Sequence, residues 1–163
     1  MLFRSLWRRD LRGAFLGLSV DHGPGDLARA VAESIGFGLR LTSQGLAELG
    51  HGMRLVRVSG TPARNAFLSR LKADILGLPV EVPELADCEL SGNAAACAVA
   101  LGDCGSLAEA AARLVHVETR FEPDPRLRRE YDRLYGIFAD AAAALIPFSE
   151  RLVSKPRDAA SDG

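Results

Sequence analysis

The residues best placed to do chemistry lie in one run, Val58-Ser59-Gly60-Thr61-Pro62-Ala63-Arg64-Asn65. Apolar Met53–Val58 precedes it and Ala66-Phe67-Leu68 follows. The run reads as the end of a buried strand, a tight glycine turn and the start of a helix. Gly60 has no Cβ, so a phosphate or nucleotide can approach the backbone closely there. The following helix would aim its free N–H groups and the positive end of its dipole at the same point. By itself a strand–glycine–helix turn more often only reverses the chain, so its neighbours must decide.

The remaining reactive side chains do not assemble into a second site. Cys88, Cys97 and Cys104 are odd in number, and no C-x-x-C or mixed Cys/His spacing accompanies them. His22, His51 and His116 are scattered. Reduced, structural thiols in a cytoplasmic protein are the expectation, and no metal ligand is assigned. Asp10, Asp21, Asp26, Asp74, Asp87 and Asp103 carry no mark of a catalytic base. Asp26 suits a helix N-cap, and Asp74 falls near the end of a helix. No catalytic residue is assigned.

The elements that must position the turn follow from periodicity. Phe15–Val20 reads as a strand. The next helix carries Leu27, Val31, Ile35 and Leu39 four residues apart on one face, and Gly50 stops it. Met53–Val58 is a second strand. Phe67, Leu68, Leu71 and Ile75 form the core stripe of the helix after the turn, which Gly77 ends, and Val80–Val82 is a short third strand. The alanine-rich stretch Gly92–Leu101 predicts close packing. Ser106-Leu107-Ala108-Glu109 is a capping box. Val115, Val117 and Phe121 mark a last extended piece, with His116 facing solvent. A final helix from near Pro125 carries Leu127, Tyr131, Leu134, Phe138, Ala142 and Leu145, and Pro147 kinks or ends it. Strands alternating with helices predict an α/β layer.

The 163 residues suit one domain, and 48% hydrophobic content can fill a sizeable core. A net charge of −1 argues against a general nucleic-acid binder. Arg4, Arg8, Arg9 and Arg12 lack the aromatic interleaving of a nucleic-acid surface beyond Trp7. No apolar run approaches the roughly 20 residues of a membrane span, and the basic start MLFRSLWRRDLR has no apolar core of a secretory signal. Residues 1–12 are expected to be a lead-in segment, 13–154 the folded lobe and 155–163 a disordered tail.

The run Val58–Val82, VSGTPARNAFLSRLKADILGLPVEV, resembles the adenine-nucleotide segment of the FGGY carbohydrate kinases. Gly13–Leu18 followed by Asp26–Glu33 resembles that family's second signature, with Ala32 where a larger apolar residue is usual. Glu89–Ala95 resembles its small-residue helix entry, and Phe121–Pro125 with Tyr131 and Tyr135 its C-terminal end. The resemblance runs in order from about Arg4 to Leu152. It implies part of one lobe of the actin-like ATPase (ribonuclease H-like) fold, a short mixed sheet packed with helices. It also implies ATP or ADP with Mg²⁺, and a sugar substrate bound only by the complete enzyme.

Three positions then carry over as nucleotide-binding. Gly60 matches the first glycine of the family's pair, Thr61 stands where the second is usual, and Asn65 matches a polar position near the base and ribose. If Thr61 requires φ > 0, a β-branched residue there costs about 1–3 kcal/mol. Pro62 occurs at the third position in some relatives. The family's catalytic aspartate, its phosphate loop and most of its sugar contacts have no counterpart here. The expectation is therefore a C-terminal kinase lobe, inactive without an N-terminal lobe as partner or else self-associating. The alternative is a non-catalytic remnant or interaction module.

Overall fold

A helix needs a defined start, and Gly23-Pro24 supplies one: Pro24 presets φ for the first turn, and the Asp26 carboxylate accepts from the Gly23 N–H at 2.9 Å. Asp26 is thus the third helical residue rather than the N-cap expected from sequence, because Pro24 starts the helix earlier. The computed structural model describes residues 12–85 and 87–153. The lead-in up to residue 11 and the tail from 154 lie outside them, as does Asp10.

The described elements run α1 (Pro24–Glu48), β1 (Val56–Arg57), a 3₁₀ turn (Thr61–Arg64), α2 (Ala66–Leu76), β2 (Val80–Pro83), α3 (Cys88–Ala100), α4 (Leu107–Leu114), β3 (Val117–Phe121), α5 (Arg128–Ala144) and α6 (Ile146–Val153). The sheet has the order β1-β2-β3, with β1 parallel and β3 antiparallel to β2. The expected short mixed sheet packed with helices is present.

Two apolar clusters hold these elements. Phe37 and Leu41 of α1 meet Leu71 and Ile75 of α2 and Tyr131 and Tyr135 of α5. Val58, Ala63, Ala73, Val80 and Val82 join α2 to one face of the sheet. The helices approach closely because residue 36 is glycine: a Cβ there would lie 2.5 Å from Ile75 Cδ1. Buried Arg40 is satisfied within the first cluster. It donates to the Ile75 and Tyr131 carbonyls at 3.3 Å, pairs with Asp132, and lies 4.5 Å from the Tyr135 ring centroid. On the opposite sheet face Glu81 accepts from Arg57 and Arg120, at 2.7 and 3.0 Å. The Arg57 guanidinium, and then that of Arg120, hold its carboxyl below the usual range.

Several sequence expectations are corrected. Phe15–Val20 forms no strand. The segment is irregular, Gly17 takes φ +74, and Ser19–His22 closes a turn through the Ser19 N–H on His22 Nδ1 at 2.8 Å. A strand needs a partner ladder, and no described strand lies beside it. Strand β1 is shorter than Met53–Val58, because its ladder with β2 takes in only Val56 and Arg57. The stripe Val31, Ile35 and Leu39 is not core but stands 50%, 52% and 37% exposed. The buried face of α1 is Gly36, Phe37, Arg40 and Leu41. The alanine-rich helix α3 buries only Ala95, against α4. The capping box starts α4 as read, though Glu109 reaches back to the Gly105 N–H at 2.8 Å rather than to Ser106. Tyr131 anchors α5 as expected, and Pro147 falls in α6 just after the break at Leu145.

Candidate functional site

Between β1 and α2 the chain makes the turn its sequence predicts. Gly60 has φ +77 and ψ −175, a conformation essentially confined to glycine. The 3₁₀ turn that follows is closed by the Ala63 N–H on the Gly60 carbonyl at 3.0 Å and by the Asn65 N–H on the Pro62 carbonyl at 3.2 Å. Ala63, 3% exposed, fixes the turn to the sheet cluster, and buried Ser69 donates from Oγ to the Ala63 carbonyl at 3.5 Å. The turn is rigidly placed, yet its outer surface is open. Thr61, Pro62, Arg64 and Asn65 are exposed, and a Cβ built on Gly60 meets nothing nearer than Pro62 Cδ at 3.8 Å.

Thr61 does not take the conformation that would strain it. No described non-glycine residue has φ > 0, so Gly60 alone carries the left-handed position and Thr61 opens the 3₁₀ turn. The expected cost of a β-branched residue there is absent. The residue is exposed.

Asn65 has a second duty that the sequence reading did not assign. It N-caps α2, its side-chain oxygen accepting from the Leu68 N–H at 3.2 Å. The cap turns the side-chain oxygen inward and leaves the amide nitrogen to donate. The first N–H groups of α2 have no partner within the helix and point out of its start. Gly60, Thr61 and Asn65 therefore share one exposed surface at the carboxyl end of β1, where open α/β sheets place ligands.

The other candidate residues are dispersed by the fold. Asp74 is 6% exposed, and its carboxylate accepts from the Asp124 N–H at 2.8 Å, tying α2 to the loop before α5. Asp87 caps α3 by accepting from the Glu89 and Leu90 N–H groups at 3.1 and 3.0 Å. His116 is exposed, and the three cysteines are free, with only Cys104 buried. Among the described residues no group of three or more His, Cys, Asp and Glu side chains is placed to hold a metal ion. No described helix is long and apolar enough to cross a membrane.

Sequence reading missed what surrounds the turn. A groove of about 470 Å³ opens beside it, between Ala63, Arg64 and Ala66 on one side and Pro83, Glu84 and Glu118 on the other. Glu84 and Glu118 lie far apart in sequence and are brought together only by the antiparallel β2–β3 pairing.

Known proteins resemble most of this chain. Residues 1–101 match the FGGY family of carbohydrate kinases, C-terminal domain. A glycerol kinase of Gloeobacter violaceus is 39% identical over 104 residues, covering 63% of this chain and 21% of the relative. A glycerol kinase of Xanthomonas campestris pv. campestris is 34% identical over 145 residues, covering 87% of this chain and 28% of the relative. The crystal structure of xylulose kinase from Rhodospirillum rubrum superposes with a TM-score of 0.75 at 32% identity, covering 85% of this chain and 28% of that one. The chain thus spans 21% and 28% of the length of these two glycerol kinases.

Proposed function

The chain belongs to the FGGY family of carbohydrate kinases, matching its C-terminal domain, and from that premise we propose that it is the nucleotide-binding lobe of an ATP-dependent kinase for a sugar or polyol hydroxyl. The observation that carries this reading is the turn itself. Gly60 holds a glycine-only conformation with open space before it, at the carboxyl end of a parallel strand and the start of α2.

ATP supplies the transferred phosphoryl group when bound. The chain's own residues do the holding. Gly60 lets the backbone approach, the first N–H groups of α2 face the anionic part, and the Asn65 amide nitrogen is free to donate. Mg²⁺, when bound, would offset the charge of the phosphates; among the described residues no group of three or more His, Cys, Asp and Glu side chains would hold it without them. Among the described residues we assign none as the group that accepts the substrate's proton, which phosphoryl transfer requires. The lobe therefore works with an N-terminal lobe as partner and is inactive alone. The substrate belongs with that partner, and the relatives' names, glycerol kinase and xylulose kinase, support a small polyol or ketose as its class.

A second reading, a retained scaffold without nucleotide, is favoured by one observation. Asn65 and Ala63 already serve the fold, as cap and core, with no ligand needed. A phosphoryl-transfer assay over a panel of sugars and polyols, with and without an N-terminal lobe, separates the two. Turnover only with both lobes supports the kinase reading. ADP binding by neither the chain nor the pair supports the scaffold.

A further inference from the structure

On the sheet face opposite α2, where Arg57 lies, a second cavity of about 210 Å³ opens between α3, α4 and the ends of β1 and β2. It shares only Pro83 with the groove beside the turn. Its existence follows from residue size. Ser91, Gly92 and Ala95 of α3 and Ala111 of α4 line it, and side chains this short leave space unfilled. A Cβ built on Gly92 meets nothing within 4 Å. The cluster that joins α3 to α4, Ala95, Cys104 and Ala110, has no residue in common with the clusters around α2. The cavity therefore lies where the core of the α3–α4 hairpin and that of the sheet fail to merge.

The lining sorts into an apolar body and a polar head. Leu85, Ala95, Ala111, Leu114 and Val115 form the body. Arg57 and His116 stand at the head, and among the described residues no Asp or Glu lines the cavity. Arg57 commits Nε and Nη2 to Glu81, at 3.2 and 2.7 Å, and its Nη1 makes no hydrogen bond among the described residues. The His116 ring makes none either, since only its backbone carbonyl is engaged, by the Glu84 N–H at 3.0 Å. An imidazole carries an N–H donor in either protonation state. The start of α3 is already occupied, because the Asp87 carboxylate accepts from the Glu89 and Leu90 N–H groups. An anion therefore belongs at Arg57 and His116, and a carboxylate matches the guanidinium best. An apolar cavity of about 150 Å³ is enough to hold benzene, so this one takes a ring or short branched chain with one small head group.

We propose that this cavity binds a small monocarboxylate with an apolar body, its carboxylate accepting from Arg57 and His116 and its body lying over Gly92 and Ala95 against Leu114. The site is separate from the nucleotide reading of the turn and does not rest on it. A ligand held there bridges the hairpin to the sheet and stabilises the folded chain by mass action.

Benzoate is the probe, and the chain carries its own reporters. Cys88 lines the cavity, whereas Cys97, also exposed on α3, does not. Iodoacetamide alkylation read by peptide mass spectrometry follows both thiols at once, and calorimetry gives the affinity. Benzoate at millimolar concentration should slow alkylation of Cys88, leave Cys97 at its native rate and raise the melting temperature. Benzyl alcohol keeps the ring without the charge and should bind roughly tenfold to a hundredfold more weakly, the range of a hydrogen bond to a charged group. His116→Ala, at an exposed position, should weaken benzoate by a similar factor with the free chain melting as before. Gly92→Leu fills the cavity from open space, so benzoate binding should be lost while the melting temperature holds or rises. Equal binding of benzyl alcohol would show that the carboxylate is not read, and equal protection of Cys88 by inorganic phosphate would show that any anion suffices; either overturns the proposal. Native benzoate affinity in Gly92→Leu, or equal slowing of Cys97, places the binding elsewhere and overturns it too. So does millimolar benzoate that gives no heat and no protection of Cys88.

Discussion

Replacing Gly60 by alanine isolates the one backbone feature on which the candidate site depends. Space is not the obstacle, because a Cβ at Gly60 would have Pro62 Cδ as its nearest neighbour at 3.8 Å, an ordinary contact. The obstacle is conformation: φ +77 with ψ −175 is a region that L-residues occupy at a cost of about 1–3 kcal/mol. Two outcomes are open to the variant. If the turn holds its shape, the whole strain appears as lost stability, and a chain of this size should melt roughly 2–12 °C lower. If the turn relaxes, stability recovers but the surface shared by Gly60, Thr61 and Asn65 is lost, and ADP affinity falls by up to the same free energy, roughly fivefold to 150-fold. Differential scanning calorimetry and ADP titration on one preparation measure both, and the two losses should trade against each other. Thr61→Gly is the control. Because Thr61 sits in the 3₁₀ turn without strain, that change should not stabilise the protein. A Gly60→Ala chain with native melting temperature and native ADP affinity would refute the reasoning.

The remaining predictions concern packing, acid stability, activity and association. Gly36→Ala should destabilise by about 1–3 kcal/mol through overpacking against fully buried Ile75, outweighing the roughly 1 kcal/mol that alanine gains over glycine in a helix. A stabilised variant in urea melts would show that α1 and α2 are not in contact there. Asp132 is held below the usual carboxyl range by the hydrogen bond from Arg40, and then by that from Arg128. A depressed pKa contributes stability above the unfolded value of about 3.9 and loses it as pH falls further. Asp132→Asn should therefore lower stability near neutrality and flatten its decline below about pH 4, and an unchanged slope counts against the pair. On the proposed reading the chain alone should phosphorylate no pentulose, hexose or polyol above a buffer blank, because none of its described residues is assigned as the proton acceptor. The exposed stripe Val31, Ile35 and Leu39 should drive association that Ile35→Glu reduces in light scattering, and a native chain monomeric at every concentration would exclude this.

What was legible in the sequence was the local chemistry. Gly60, Gly77 and Gly50 each stand where a turn or helix end requires φ > 0, and all three take it. The capping serine at 106 and the break near Pro147 were readable for the same reason: their causes lie within a few residues. What was not legible depends on partners distant in sequence. Phe15–Val20 has strand composition, but a strand exists only when another lies beside it. Glu84 and Glu118 meet at one groove only through the β2–β3 register. Thr61 read as strained because the second position of the turn was expected to share the left-handed conformation, whereas the chain places all of it in Gly60.

The error over α1 is the informative one. Leu27, Val31, Ile35 and Leu39 recur as regularly as any core stripe, and periodicity alone assigns them inward. The structure instead buries Gly36, Phe37, Arg40 and Leu41, rotated around the same helix. Both faces are apolar, so α1 is built to be covered on two sides, and the described residues cover one. A helix apolar on two faces belongs to the interior of something larger. Strand β1 makes the same argument from hydrogen bonds. Among the described residues it is paired on one edge only, where Val56 and Val58 donate to Pro79 and Glu81 carbonyls at 3.0 and 2.9 Å, and an unpaired edge recruits another strand. The two deficits are of different kinds, one of apolar surface and one of backbone pairing, and on the proposed reading the further length of relatives about three times as long as this chain would supply both. On the proposed reading a separately expressed N-terminal lobe should therefore do more than complete the chemistry. Added to the chain, it should protect the Val31, Ile35 and Val56 amides from hydrogen exchange. Activity restored with those amides still exchanging freely would show that the lobes meet elsewhere.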